Sequence, residues 1–330
     1  MSLAGRHVLV TGATGFLGGA LALKLAQDGV LVHALARRPQ KAGFINQQPN
    51  ITIVEGDVTD AERMRQVTKG CSIVFHVAAA LGGNIATQRP VNVDGTRNVM
   101  MAAADASVER VVHVSSIAVY GYTYNGDITE DFEQKPGHVP YNLTKSQGEA
   151  VVRQVGTQYS VPFSIIRPGM IYGPRSNGWT STMFKLGKRK PTPFLGDGHG
   201  KTHTIYVDDV VDLMILLATH PAAVGQAFNC SSDPAPTWRD FLGGYSRLAG
   251  HNRWLGIPPV IMRPLAPLIE LFLTLWGEPQ ELPILVDFLQ ASKTYKMTKA
   301  RDLLGWQPKT DLQTGIDNCV PWLHEVGLLT

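Results

Sequence analysis

The 330-residue chain has room for one large domain, or a domain with a second lobe, and at 44% hydrophobic and 17% charged it can bury a full core without disulfide or metal staples. A formal charge of only +3, with no basic cluster longer than Lys188-Arg189-Lys190, argues against a nucleic-acid surface. Cys71, Cys230 and Cys319 are odd in number and lack any CxxC spacing, so no disulfide framework and no metal site is expected, and a reduced, cytoplasmic compartment follows.

In chain order, His7–Val10 is a short apolar run fit for a strand buried on both faces, and it ends on the glycine-rich turn Thr11–Gly18. No signal peptide is expected ahead of it, because the strand begins almost at once. Phe16–Gln27 reads as a helix, with Phe16, Leu17, Leu21 and Leu25 at helical spacing and Asp28-Gly29 as the stop. Strands follow at Val30–Ala36, Ile51–Glu55, Ile73–Val77, Arg110–Ser115 and Phe163–Arg167, with helices at Ala61–Lys69, at Val91–Ala104 and around Tyr141–Lys145. This alternation predicts an α/β fold of the Rossmann type, a doubly wound parallel sheet with right-handed crossovers. Residues 168–204 have the composition of loops. Asp208-Asp209 is expected to N-cap an apolar helix through Ala218, and Ala227–Asn229 to return to the sheet. The expected division is a dinucleotide-binding domain over 1–167 plus about 205–230, and a smaller, mostly helical substrate lobe over 168–204 and 231–330. The apolar stretch 260–276 is broken by Arg263, Pro264, Pro267 and Glu270; it is too interrupted to span a bilayer and is expected to line the substrate lobe, with a membrane-surface contact as the less favoured reading.

The turn Thr11-Gly12-Ala13-Thr14-Gly15-Phe16-Leu17-Gly18 closes the first strand and opens the first helix. Gly12 permits the tight turn, Gly15 lets backbone amides approach a pyrophosphate, and Gly18 lets helix and sheet pack closely. The second strand ends in Ala36-Arg37-Arg38, where an acidic residue would select NAD; guanidinium groups there favour the 2′-phosphate of NADP(H), with NAD the second choice. Asp57-Val58 follows the third strand, where a carboxylate can accept from the adenine amino group. Small residues after the fourth strand, Val77-Ala78-Ala79, would let the backbone run close to the cofactor, and Asn92 opens the next helix as a cap or a cofactor contact.

Tyr141 and Lys145 stand one turn apart on one helix face. A phenol with pKa about 10 is a poor base near neutrality, and the expectation is that the ammonium of Lys145 lowers that pKa and holds the nicotinamide ribose. Tyr141 would then exchange a proton with a carbonyl or alcohol oxygen held by Ser116, while strand-end capping accounts for one of the two hydroxyls of Ser115-Ser116.

With these motifs the chain resembles the extended short-chain dehydrogenase/reductase family, also called the NAD-dependent epimerase/dehydratase superfamily. The resemblance rests further on Gly56-Asp57-Val58, His76–Ala79, Val91–Thr96, Val114–Gly121, Arg167-Pro168-Gly169, Tyr172-Gly173-Pro174, Tyr206–Asp209 and Leu304–Pro308. It implies Ser116, Tyr141 and Lys145 as the catalytic residues, adds Pro168, Gly169 and Ile171 to the cofactor contacts, and implies a homodimer acting on a small molecule. Nucleotide-sugar members carry an arginine just before the Tyr206–Asp209 block; here that place is Thr202, between Lys201 and His203. Tyr295–Trp306 looks more like the 3β-hydroxysteroid and sterol dehydrogenase branch. The expected activity is therefore an NADP(H)-dependent interconversion of a secondary alcohol and a ketone on a bulky apolar substrate. The alternative is a nucleotide-sugar epimerase or dehydratase that recycles its cofactor.

Overall fold

The computed structural model describes residues 3–122, 126–262, 264–265 and 288–330. Through the first half the chain runs β1 (His7–Thr11), α1 (Phe16–Gln27), β2 (Leu31–Ala36), β3 (Ile51–Glu55), α2 (Ala61–Thr68), β4 (Ile73–His76), α3 (Ile85–Arg89), α4 (Gly95–Asp105), β5 (Arg110–Val114), β6 (Gly126–Ile128), α5 (Pro140–Gln158) and β7 (Phe163–Pro168). It continues with β8 (Met170–Tyr172), α6 (Thr182–Gly187), β9 (Thr192–Leu195), β10 (Thr204–Tyr206), α7 (Val207–Thr219), β11 (Ala227–Cys230), α8 (Trp238–Leu248), β12 (Trp254–Ile257) and β13 (Lys293–Tyr295); helices at Thr298–Leu304, Leu312–Asp317 and Val320–Glu325 follow.

Seven strands form one parallel sheet in the order β11-β7-β5-β4-β1-β2-β3. The chain winds outward from β1 in one direction through β2 and β3, then in the other through β4, β5, β7 and β11. The reversal lies between β1 and β4, and the crevice beyond their carboxyl ends is where this architecture leaves room for a ligand. β4, β5, β7 and β11 are buried along their whole length, as continuous apolar runs covered on both faces must be. Two apolar clusters do the covering. One gathers α1, α7 and the C-terminal helices, with Leu21, Leu25, Val210 and Leu217 at its centre. The other gathers α2, α4 and α5, with Met64, Val99, Val152 and Val155.

Several expected boundaries move. The helix expected from Val91 begins at Ile85, behind an Asn84 cap that accepts from the amide of Thr87, and passes through a π-helical turn at Pro90–Asp94 before α4. The proline at 90 removes an amide donor and the wider turn accommodates it. Asn92 thus lies inside a helical run rather than opening one. The residues expected to form only loop between 168 and 204 hold β8, α6 and β9. Tyr206, not an aspartate, is the residue before α7. Asp209 instead accepts from the amides of Lys309 (2.8 Å) and Thr310 (3.2 Å), anchoring the segment that follows Leu304–Pro308. The stretch 260–276 falls largely outside the described residues. No helix among the described residues is long and apolar enough to cross a membrane.

Candidate active site

A cleft of about 850 Å³ opens over the carboxyl ends of β1 and β4, at the reversal point of the sheet. On its floor is the glycine turn. Gly12 has φ +68°, and a Cβ there would stand 2.8 Å from the amide nitrogen of Ala78; a Cβ on Gly18 would collide with the carbonyl of Gly12. These two glycines let β1, β4 and α1 close on one another. Gly15 is the residue before α1 and supplies no side-chain cap, so the first-turn amides are free of any competing side chain. A cradle without Cβ atoms at the positive end of a helix dipole fits the pyrophosphate of a dinucleotide.

Gly12, Thr14, Gly15, Phe16, Leu17 and Gly18 all line the cleft. So do Arg37, Asp57, Val58, Val77, Ala78, Ala79, Ser115, Ser116, Tyr141, Lys145, Pro168, Gly169 and Ile171. Two expected contacts are not brought there. Arg38 is exposed outside the cleft wall, because β2 ends at Ala36 and only Arg37 is directed along the cleft. Asn92 is buried behind the wall. Its side-chain amide accepts from the amide of Ala80 (2.8 Å) and donates to the carbonyl of Ala80 (2.9 Å) and to Thr144 Oγ1 (3.0 Å). It therefore clamps the segment after β4 to α5. Thr11 does similar work from β1: its hydroxyl oxygen accepts from the amides of Val77 and Ala78, both at 3.1 Å, and meets His76 Nδ1 at 2.9 Å.

The sequence reading missed Lys41, Phe44, Arg175, Trp179 and Trp322, which also line the cleft. Lys41 lies four residues beyond Arg37 on a short turn (Pro39–Lys41) and adds a second cation at the end of β2. Its proximity in sequence to Arg37 was a usable signal. Arg175 directly follows Tyr172-Gly173-Pro174, whereas nothing local marks Trp322. Asp57 has one carboxylate oxygen engaged by the amide and hydroxyl of Thr59, both at 3.0 Å, and the other 4.0 Å from Arg37 Nε.

Deeper in the cleft, Ser116 follows β5 in extended conformation. Its Oγ accepts from the amide of Ala118 (3.1 Å), capping the turn Ile117–Tyr120, and also hydrogen-bonds with the Tyr141 side chain. Capping and contact with the phenol thus fall on the same serine. Lys145 is buried, with Nζ donating to the carbonyl of Val114 at 2.5 Å. Burial pulls its pKa down to about 8, against the opposing pull of Glu149 one turn further along α5. The Tyr141 phenol is pushed up to about 12 by burial and by Tyr122, while the Ser116 hydrogen bond works the other way. The expected lowering of the Tyr141 pKa is not what this arrangement favours. The Lys145 ammonium is engaged by the Val114 carbonyl, and burial is the largest cause of the shift on the phenol. At neutral pH Tyr141 is a neutral phenol.

Beneath these groups, Glu149 and Arg167 form a two-pronged ion pair, with Nε to Oε1 at 2.8 Å and Nη2 to Oε2 at 2.7 Å, both side chains almost fully buried. Arg167 Nη1 also donates to Tyr120 Oη (2.6 Å), and Tyr120 donates to Asn229 Oδ1 (2.7 Å). The network ties α5 to β7, β11 and the turn after Ser116, and so fixes the helix that carries Tyr141 and Lys145.

Comparison with known proteins agrees with this geometry. The chain is 28% identical over 343 residues to the 3beta-hydroxysteroid-dehydrogenase/decarboxylase isoform 2 of Arabidopsis thaliana; the alignment takes in 94% of this chain but only 61% of the plant protein, so the chain spans about three-fifths of that relative's length. It is 30% identical over 335 residues to a UDP-glucose 4-epimerase of Mycolicibacterium smegmatis, with 96% of this chain and 98% of that protein covered. Among solved structures it is similar to MoeE5 in complex with UDP-glucose and NAD, with a TM-score of 0.75 and 25% identity across 98% of this chain and 99% of that one. The model of the NAD dependent epimerase/dehydratase family matches residues 8–231. The chain therefore belongs to the NAD-dependent epimerase/dehydratase family, whose enzymes work with a pyridine dinucleotide.

Proposed function

We propose that the protein is an NADP(H)-dependent oxidoreductase that interconverts a secondary alcohol and a ketone on a bulky apolar substrate. The observation that carries this reading is the pairing of a neutral Tyr141 phenol with Ser116 at the end of β5, over a buried Lys145, in the cleft that also holds the glycine cradle. The cofactor, when bound, supplies or accepts the hydride. The chain's own residues do the rest. Ser116 holds the substrate oxygen by a hydrogen bond, Tyr141 delivers its proton to that oxygen as the ketone becomes an alcohol, and Lys145 carries positive charge close to the developing phenolate. Gly12–Gly18, Val77–Ala79 and the Pro168–Ile171 segment hold the dinucleotide.

NADP(H) is favoured over NAD(H) because β2 ends without a carboxylate while Arg37 and Lys41 both line the cleft. The apolar substrate class is supported by the plant hydroxysteroid dehydrogenase among the relatives. It is also supported by Thr202, at the place where nucleotide-sugar enzymes carry arginine: its amide and hydroxyl both bond the carbonyl of Pro236, at 2.7 and 3.1 Å, and it presents no cation. We read residues 1–167 plus about 205–230 as the dinucleotide-binding domain and the remainder as the substrate lobe of a cytoplasmic homodimer. A second reading, a nucleotide-sugar epimerase, is favoured by the full-length likeness to the mycobacterial 4-epimerase. A panel of ketones, sterols and nucleotide sugars, followed by NADPH absorbance, separates the two. Net NADPH consumption with an apolar ketone is expected; conversion of a UDP-sugar without net change in cofactor would establish the second.

A further inference from the structure

We infer that Arg175, reaching in from the opposite wall, is a phosphate clamp that closes over the pyrophosphate of the bound dinucleotide. The inference rests on the reading of the cleft as a dinucleotide site and adds a residue that no motif used above contains.

Four observations converge on it. Arg175 lines the same cleft as Gly12–Gly18, although it belongs to the segment after β8 and not to the glycine turn. Its guanidinium lies 4.9 Å from the centroid of the Phe44 ring. That ring packs on the first turn of α1 so closely that any Cβ on Gly19 would collide with it, so the cation is stationed beside the open end of the helix. Its backbone has φ +73°, a conformation that costs any residue with a side chain. Gln47, Asn50, Ser107 and Ser160 share that feature among the described residues, but only Arg175 of the five lines the cleft. Finally, no described carboxylate pairs with it, and Asp57, the one acid among the described residues lining the cleft, stands by Arg37 instead.

The segment that presents Arg175 is stiff. Thr180 Oγ1 accepts from the amide of Gly173 (3.0 Å) and donates to its carbonyl (2.9 Å), while Ser176 Oγ accepts from the amide of Trp179 (3.3 Å) and donates to the carbonyl of Ile171 (3.3 Å). A half-buried guanidinium without an anion, held in an unfavourable backbone conformation by a braced loop and oriented by a ring on α1, is arranged to receive an anion. The phosphates of a dinucleotide lying on the glycine turn are the anions that position would meet. Arg37 and Lys41, at the end of β2, are left for the 2′-phosphate.

The test is direct binding, by calorimetry, of ADP-ribose, NADH and NADPH to the wild-type protein, Arg175→Gly and Arg37→Ala, with melting temperatures alongside. Glycine relieves the backbone conformation, so Arg175→Gly is expected to melt no lower than wild type while binding all three ligands roughly tenfold or more weakly. Arg37→Ala is expected to weaken NADPH alone. Unchanged affinity for ADP-ribose in Arg175→Gly, or a loss confined to NADPH, overturns the clamp. If Arg175→Gly does not fold, Arg175→Asn, which also tolerates the left-handed region, carries the same comparison. A wild-type protein that binds none of the three would instead overturn the dinucleotide reading itself.

Discussion

The role proposed for Tyr141 requires a phenol that keeps its proton near neutrality, and burial of the ring favours that. Replacing it with phenylalanine removes the proton but little volume, so turnover is expected to fall by about 10²-fold or more, while calorimetry should find cofactor binding nearly unchanged. Lys145 offers a second, independent check through pH. Its pKa in the folded chain is depressed to about 8 from an ordinary lysine value of 10.5, so the folded state loses its proton before the unfolded state does. Stability therefore rises with pH from about 8 to about 10 on account of this group; above that, Tyr141, with its pKa raised, contributes the opposite slope. Denaturant titrations of the cofactor-free protein at pH 7.5 to 10 (about the range these pKa values set) should show that rise in the wild type and a smaller one in Lys145→Met, where Lys293, also held down to about 8 by burial, still contributes. The sequence revealed these two residues because their relation is local: four positions on one helix. It did not reveal the sign of the shift on Tyr141, which depends on how completely distant segments exclude water from the ring.

At the scale of elements, α5 matters most because it carries both catalytic candidates, and what holds it is the Glu149–Arg167 pair between helix and β7. Removing one partner of a buried pair leaves a charge without compensation. Arg167→Met is therefore expected to lower stability by about 3–5 kcal/mol, measured by urea unfolding; a change below about 1 kcal/mol would contradict the account of the network. Strands and most helices were legible from apolar runs and stop signals. The start at Ile85 was not, because Pro90 reads as a helix breaker until a π-helical turn accommodates it. Nor was the task of Asp209, whose partners Lys309 and Thr310 lie about a hundred residues downstream. Trp322 escaped for the same reason, since it becomes part of the cleft only through the path of the folded chain.

For the whole molecule, the winding of the sheet places the cleft and the cleft places the chemistry. The order of strands follows from alternating βα units, and the glycine turn in the first unit marks the crevice between β1 and β4. The family fixes the cofactor class, but the relatives include both hydroxysteroid dehydrogenases and nucleotide-sugar epimerases. Which of these activities the molecule performs is decided by the fate of the hydride. The most direct measurement is to supply NADPH deuterated at the transferring position together with an apolar ketone and to analyse the product alcohol by mass spectrometry. One deuterium per product molecule and an equal amount of NADP⁺ are expected. Conversion of a nucleotide sugar with no cofactor consumed and no deuterium in the product would contradict it.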